Sequence, residues 1–258
     1  MQNTQLNQIE NYLIAYFEQH GPFVDSWGVA IDAAHVRQYL EHSRSRFLLL
    51  YDRVKKLSTP GACILDIGTA YGALPLMLQA DGYDVSGTEI EACYDVYTRP
   101  LRERGVPVHT CSLYEKTCQI SENHYDVVVA SEVFEHIFIN IEAAVRMCSR
   151  FIAPGGVLIV TTPNLYALPN LFRITKGENI CEPFPESPVY QGTVVVDNRC
   201  HPREPTMPEL RHAMIANHLQ IAETGYFNRV AGRLLKRMAY AVLPDKVCEH
   251  ILIVGRKK

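Results

Sequence analysis

The feature that most constrains this chain is the alternation of short apolar runs with helix-length segments between Ala62 and Thr162. Each apolar run has the length of a strand, and its near-continuous apolar character is typical of strands buried on both faces. Strands separated by helices form parallel sheets with right-handed crossovers. We therefore predict an α/β fold: a Rossmann-like, doubly wound sheet of seven strands, mostly parallel, with an antiparallel last strand.

The same pattern gives approximate element bounds. The predicted strands cover residues 62–67, 84–88, 106–109, 125–130, 157–162, 220–226 and 250–254, and Pro154-Gly155-Gly156 is predicted to turn the chain into the fifth of them. The helices expected in the same region and beyond it cover residues 74–80, 92–103, 139–151, 208–216 and 229–241.

We expect a single domain with four parts. Residues 1–58 read as a helical cap with a break near Gly21-Pro22, residues 59–162 as the ligand-binding half of the sheet, and residues 209–258 as its C-terminal part. Between them, residues 163–208 hold eight of the fifteen prolines. A long segment of this kind inside a compact domain is often a lid over a binding site. We therefore expect this segment to bind the substrate.

Composition excludes several classes of function. The net charge of −3 provides no global positive field, so nucleic acid is not an expected partner. No stretch approaches the roughly 20 apolar residues of a membrane span, and the first residues lack a signal-peptide pattern. The eight cysteines form no Cys-x-x-Cys pair, which favours reduced thiols in the cytoplasm. The basic residues between Arg37 and Lys56, Arg46 among them, favour a solvated helix face over a binding patch.

The loop that follows the first sheet strand carries the strongest functional pattern. Asp66-Ile67-Gly68-Thr69-Ala70-Tyr71-Gly72 stands where a buried strand meets a helix, and ligands of open α/β sheets bind at that edge. Glycines allow the backbone to approach a ligand closely. Glu89 ends the next strand, where an acidic side chain can accept hydrogen bonds from a ribose diol. Together they predict a ribose-bearing cofactor.

With Tyr125-Asp126-Val127-Val128-Val129 and Pro154-Gly155-Gly156, these motifs resemble the class I S-adenosylmethionine-dependent methyltransferases over residues 62–164. The segment Ser131-Glu132-Val133-Phe134-Glu135-His136-Ile137 resembles the branch that contains ubiquinone-pathway O-methyltransferases and natural-product and sugar methyltransferases. One departure is Ala70, which stands where the family often has the middle glycine of Gly-x-Gly-x-Gly.

The resemblance implies S-adenosylmethionine as the cofactor and assigns its contacts. Asp66 would organise the loop, whose backbone packs on the methionine part, and Glu89 would bind the ribose. Ile90 would pack on the adenine, and the loop after the third strand would reach the adenine amine. The implied cofactor residues are Asp66, Gly68, Thr69, Ala70, Tyr71, Gly72, Glu89, Ile90, Ser112, Leu113, Ser131 and Glu132.

A small-molecule acceptor with a hydroxyl group would need a base, and histidine titrates near neutral pH. His136 follows the fourth strand and His201 lies in the predicted lid, so these two are the candidate catalytic residues. His136 could instead brace the cofactor loop, a reading that Glu135 shares. No metal site is assigned, although Glu135, His136 and His201 could bind a divalent ion, as in some relatives.

The acceptor stays open among a natural product, a quinone-like molecule and a sugar, and N-methylation is an alternative to O-methylation. The lid offers both an apolar set (Tyr166, Phe172, Phe184 and Tyr190) and a polar set (Asn164, Arg173, Asn198, Arg199 and Arg203). A nicotinamide-dependent oxidoreductase is disfavoured because its loop runs Gly-x-Gly-x-x-Gly, and a non-catalytic cofactor-binding protein is the third hypothesis. A homodimer is also open.

Overall fold

The computed structural model describes residues 2–113, 118–181, 201–228, 240 and 242–258, and the backbone of residues 189–190 and 193–194. Its helices are α1 (Gln2–His20), α2 (Ala33–Leu57), α3 (Ala73–Ala80), α4 (Glu91–Tyr97), α5 (Arg99–Glu103), α6 (Ile141–Phe151), α7 (Leu168–Thr175) and α8 (Met207–Ala216). Its strands are β1 (Phe23–Val24), β2 (Ala30–Ile31), β3 (Cys63–Ile67), β4 (Asp84–Glu89), β5 (Val108–Thr110), β6 (Tyr125–Ser131), β7 (Ile152–Pro163), β8 (Val189–Tyr190), β9 (Thr193–Val194), β10 (Leu219–Phe227) and β11 (His250–Lys257).

Seven strands form the central sheet in the order β10-β11-β7-β6-β3-β4-β5. Strands β3 to β7 pair in parallel, whereas β11 is antiparallel to both β7 and β10. The predicted fold class is therefore confirmed, including the antiparallel last strand. Ile67 is in register with Thr88 on one side and with Ala130 on the other. This register brings the carboxyl ends of β3, β4 and β6 level at one edge of the sheet.

Each face of the sheet is covered by its own apolar cluster. Ile64 points to the cluster that includes the cap, and Leu65 points to the opposite cluster with α6 and α8. Both side chains have no exposed surface. Burial on both faces explains why the strands read as continuous apolar runs.

The cap consists of α1, the β1–β2 hairpin and α2, and it packs against α3. Asp32 caps α2 by accepting a hydrogen bond from the His35 amide at 2.8 Å. Gln5 donates to the Met77 carbonyl at 2.9 Å, and Lys55 pairs with Asp81 at 2.6 Å. These contacts fix the cap over one end of the sheet.

The structure changes some predicted bounds. Residues 92–103 do not form one helix: α4 ends at Tyr97 and α5 begins at Arg99, because Pro100 has no amide hydrogen with which to continue the α4 ladder. Pro154-Gly155-Gly156 is not a turn before a strand but lies inside β7. The helix predicted at 229–241 lies almost wholly outside the described residues.

No helix in the described part of the chain combines the length and the apolar character needed to cross a bilayer.

Candidate active site

The loop after β3, residues 68–72, is the predicted cofactor loop, and its backbone is unusual. Gly68, Ala70 and Gly72 all have positive φ angles, of 69°, 46° and 79°. A Cβ atom on Gly68 would lie 2.7 Å from the Val133 side chain, so a larger residue would crowd the loop against the end of β6. Ala70 adopts the left-handed conformation at a cost of about 1 kcal/mol. The middle position therefore does require a glycine-like conformation, although the residue is alanine.

Glu89 binds this loop directly. Its carboxylate accepts hydrogen bonds from the Ala70 amide at 3.0 Å and from the Ile90 amide at 2.9 Å. Burial raises the pKa of Glu89 to about 7. The hydrogen bonds from the two amides favour the charged form and act in the opposite direction, but burial has the larger effect. Asp66 lies deeper, and burial, with a smaller contribution from the nearby Glu89, raises its pKa to about 7 as well. Both carboxyls thus titrate near neutral pH.

A cavity of about 420 Å³ lies between the cap and the carboxyl ends of the strands. Its walls come from the cofactor loop, the ends of β4, β5 and β6, the cap and the predicted lid. It is lined by Trp27, Tyr39, His42, Ser43, Arg46, Ile67, Gly68, Ala70, Glu89, Ile90, Cys93, Tyr97, Cys111, Ser112, Leu113, Ser131, Glu132, Val133, Glu135, His136, Ile137 and His201.

Most of the residues implied by the resemblance meet in this cavity, but four do not reach its wall. Asp66 and Thr69 are buried. Gly72, at the start of α3, faces the side chain of Leu101. Tyr71 turns into an aromatic cluster, with ring centroids 5.0 Å from both Tyr39 and Tyr97. These four residues shape the loop from behind, and their side chains are not placed to touch a ligand in the cavity.

Sequence reasoning missed the wall that the cap provides. Arg46 does not lie on a solvated helix face: it is 4% exposed, because Tyr39, Ser43 and Arg46 share the face of α2 that is turned toward the sheet. Its guanidinium donates to the Ser43 hydroxyl at 3.0 Å and lies 3.4 Å from the Glu132 carboxylate. The signal was available, since Arg46 stands seven residues after Tyr39, which is two turns of helix.

The hairpin of the cap contributes Trp27, which sequence reasoning also missed. Asp25 accepts hydrogen bonds from the Trp27 amide at 3.0 Å and from the Val29 amide at 2.9 Å, so its carboxylate holds the hairpin loop. Tyr97 donates to the same carboxylate at 3.0 Å. Strands of two residues carry no periodic pattern, which is why this element could not be predicted.

The two candidate catalytic histidines come together. The rings of His136 and His201 lie 4.5 Å apart, nearly perpendicular. A carboxylate oxygen of Glu135 and one ring nitrogen of each histidine all lie within 4.8 Å of one another. Glu135 is buried and accepts a hydrogen bond from the Thr162 hydroxyl at 3.1 Å. Burial, and then the charge of nearby Glu132, raise the pKa of Glu135 well above its usual range.

The lid residues considered for the acceptor do not line the cavity where they are described. Tyr166 and Phe172 are 51% and 60% exposed. Asn164 is buried but donates to the backbone carbonyls of Lys246 and Cys248. Arg173 donates to the carbonyl of Ile180, and Arg203 pairs with Glu209. Phe184, Asn198, Arg199 and the side chain of Tyr190 lie outside the described residues.

The expectation of reduced thiols is wrong for one pair. Cys111 and Cys118 form a disulfide whose Cα atoms are 5.2 Å apart. Cys118 stands seven residues after Cys111, a spacing that matches no recognisable motif. The Cys111 amide donates to the Glu89 carbonyl at 2.9 Å, and Ser112 and Leu113 line the cavity. The disulfide therefore braces the wall next to Glu89.

Comparisons with known proteins show which family the chain resembles. A family model described as a methyltransferase domain matches residues 33–182. The ubiquinone biosynthesis O-methyltransferase of Agrobacterium fabrum is 27% identical over 194 residues, which are 74% of this chain and 74% of that relative. The human mitochondrial ubiquinone biosynthesis O-methyltransferase is 32% identical over 133 residues, 49% of this chain but only 35% of that protein.

Solved structures show the same fold at low identity. Magnesium protoporphyrin IX methyltransferase from Synechocystis has a TM-score of 0.56 and 15% identity, with 84% of each chain covered. Geranyl diphosphate C-methyltransferase from Streptomyces coelicolor has a TM-score of 0.53 and 17% identity, covering 88% of this chain and 79% of that one. Since the family model spans more than half of the chain, the protein belongs to the methyltransferase domain family and is a class I S-adenosylmethionine-dependent methyltransferase.

Proposed function

We propose that this enzyme methylates a hydroxyl group on a small, quinone-like aromatic acceptor. The observation that carries the proposal is that His136, His201 and Glu135 converge in the same cavity that Glu89 and the Gly68 loop enter. Relatives named as ubiquinone biosynthesis O-methyltransferases support the acceptor class. The segment Ser131–Ile137, which resembles the branch that contains ubiquinone-pathway O-methyltransferases, also supports this acceptor class.

The residues present fit S-adenosylmethionine. The backbone at Gly68 and Ala70 lines the cavity, and Glu89 beside it offers carboxylate oxygens to a ribose. Bound S-adenosylmethionine supplies a methyl group on a positively charged sulfur, which leaves as a neutral thioether. The carboxylates of Glu89 and Glu132 in the cavity wall favour a cation near them.

The histidine cluster, His136 and His201 with Glu135, would accept the proton that the acceptor hydroxyl loses. A ring nitrogen of His136 or His201 would accept the proton of the acceptor hydroxyl as its oxygen takes up the methyl group. The two rings are close enough for one to orient the other. Glu135, held by Thr162, lies within reach of both ring nitrogens and can orient them.

A divalent cation is a second candidate role for the same three side chains. One carboxylate oxygen and two imidazole nitrogens are a common donor set for such ions. Among the described residues, Oε1 of Glu135 is buried and has no hydrogen-bond partner. Glu135, His136 and His201 would hold the ion, which would lower the pKa of the acceptor hydroxyl.

The experiment is methyl transfer from isotope-labelled S-adenosylmethionine to a catechol, a matched aniline and a matched methyl ether that has no free hydroxyl. We expect label on the catechol oxygen only. Label on the aniline nitrogen alone would overturn O-methylation. Dialysis against a chelator, followed by a return of Mg²⁺ or Zn²⁺, separates the two roles of the histidine cluster: only a metal-dependent reaction is lost and then restored.

The cellular location, the type of partner and the oligomeric state belong to the same proposal. A small-molecule acceptor is favoured over nucleic acid, because the net charge of −3 offers no global positive field for a phosphate backbone. The cytoplasmic location remains a prediction. The homodimer remains a prediction, and light scattering on the purified protein tests it.

A further inference from the structure

Two side chains from distant parts of the chain meet at Glu132, which makes a cluster of three. Nη1 of Arg46, from the cap, lies 3.4 Å from Oε2 of Glu132. Nδ1 of His250, from the first residue of β11, lies 3.2 Å from the same oxygen. The three side chains are only 5–8% exposed. Charged groups this deep require a specific arrangement of partners.

His250 reaches Glu132 from outside the cavity. Arg46 and Glu132 line the cavity wall, but His250 does not. The imidazole stacks on Phe227, its cross-strand neighbour on β10, with centroids 5.1 Å apart and planes 25° from parallel. Nδ1 of this ring lies at ion-pair distance from the Glu132 carboxylate. The contact therefore links the C-terminal strands to the cavity wall.

The backbone of Glu132 is also under constraint. Its φ angle is 54°, a conformation that costs a non-glycine residue about 1 kcal/mol. Its amide donates to the Thr161 carbonyl at 2.8 Å. Left-handed conformations of this kind persist where the surroundings hold them, and they are concentrated at functional sites. The next residue, Val133, packs against Gly68 of the cofactor loop.

We propose that His250 is a positioning residue for the cofactor: its Nδ1, which contacts the same Glu132 oxygen as Arg46, holds the Glu132 carboxylate toward the cationic methionine end. This inference rests on S-adenosylmethionine as the cofactor and is independent of the proposed acceptor class. A wall carboxylate that is fixed in place attracts the sulfonium without reorganising when the ligand binds. A mobile carboxylate would have to be ordered first.

The two ring nitrogens of histidine can be replaced separately. The amide nitrogen of His250→Asn falls near the position of Nδ1, whereas that of His250→Gln falls near the position of Nε2. Both substitutions remove the aromatic ring. Phe227→Leu is the matched control, because it removes the stacking and leaves the contact between His250 and Glu132.

The test measures the Kd of S-adenosylmethionine by fluorescence of Trp27, the only tryptophan of the sequence, which lines the cavity. We expect His250→Gln to raise Kd about 10-fold and His250→Asn and Phe227→Leu to stay within about 2-fold of the unmodified protein. Equal effects of Asn and Gln, whether both harmless or both harmful, would overturn the proposal.

A second variant keeps the proposal testable if His250→Gln does not fold. Glu132→Gln leaves His250 in place and should raise Kd by a similar factor; an unchanged Kd would overturn the proposal. Where both fold, the double variant should be no worse than Glu132→Gln alone. Because Kd is measured without an acceptor, a wrong acceptor class would abolish turnover of the unmodified protein and leave this pattern intact.

Discussion

The two ends of the cavity are built in different ways. At the cofactor end, the contacts come from consecutive strand ends, and much of the binding surface is backbone: the amides of Ala70 and Ile90 surround the Glu89 carboxylate. At the acceptor end, the wall is made of side chains from separate segments, with His136 after β6 and His201 from the predicted lid.

This difference indicates that the cofactor end determines the affinity for the cofactor and that the acceptor end determines turnover. A surface made from adjacent strand ends is fixed by the sheet and suits a ligand that never changes. A surface assembled from distant segments can vary one segment at a time, which suits an acceptor that differs among relatives. We therefore expect substitutions at the two ends to change different measurable quantities.

The largest effect is expected at the acceptor end. The double variant His136→Gln/His201→Gln should lower kcat about 100-fold or more, because it removes the groups that can accept the acceptor proton. The Kd of S-adenosylmethionine should stay within about 2-fold. Steady-state kinetics and Trp27 fluorescence measure the two quantities. His212→Gln, an exposed histidine on α8, is the control. Undiminished turnover would exclude the histidine cluster from the chemistry.

At the cofactor end, Glu89→Gln should raise the Kd of S-adenosylmethionine about 30-fold, since a neutral amide replaces the carboxylate that would accept the ribose hydrogen bonds. Calorimetric titration measures it. Glu91→Gln, an exposed carboxylate two residues away, serves as the matched control. Equal affinities for the two variants would contradict the role of Glu89.

The pH dependence of binding separates the two ends again. The pKa of Glu89 is raised to about 7, and the ionised form is the one that accepts hydrogen bonds. Affinity should therefore be complete above this pKa and fall as the pH drops through 7, by about 10-fold between pH 8 and pH 6. Fluorescence titration of the His136→Gln/His201→Gln variant should show the same slope. A flat profile in that variant would mean that the histidines, not Glu89, cause the pH dependence.

The disulfide tests how rigid the cofactor end must be. Cys118→Ser should raise the Kd of S-adenosylmethionine about threefold, because Ser112 and Leu113 would have to be ordered when the ligand binds. The control is Cys181→Ser, at a free cysteine of the predicted lid that is absent from the cavity wall. If dithiothreitol changes the affinity of Cys118→Ser as much as that of the unmodified protein, another thiol is responsible.

The smallest expected effect concerns Ala70. Replacing it with glycine relieves the left-handed strain but adds freedom to the unfolded chain, so the net gain should be about 0.5 kcal/mol. Thermal unfolding should show a small rise in Tm. Gly72→Ala is the opposite control, because its Cβ would lie 2.6 Å from Leu101 at a φ angle of 79°. A fall in Tm for Ala70→Gly would show that the loop is not strained.

The same division explains what could be predicted from the sequence. The sheet, its antiparallel strand and the cluster of Gly68, Glu89 and Ser131 follow from strand ends, which the apolar runs mark directly. Arg46 was missed because its burial depends on how α2 docks, and His250 because nothing at the start of a strand indicates which carboxylate it will face. The disulfide between Cys111 and Cys118 was missed because loop closure leaves no pattern in the sequence.

The most direct test measures two quantities on two variants: the Kd of S-adenosylhomocysteine and the single-turnover rate at saturating S-adenosylmethionine, for Glu89→Gln and for His136→Gln/His201→Gln. The division between the ends predicts that Glu89→Gln loses affinity and keeps a near-normal rate, whereas the histidine variant keeps its affinity and loses its rate. If both variants lose the same quantity, the two ends of the cavity do not work separately, and the central claim is wrong.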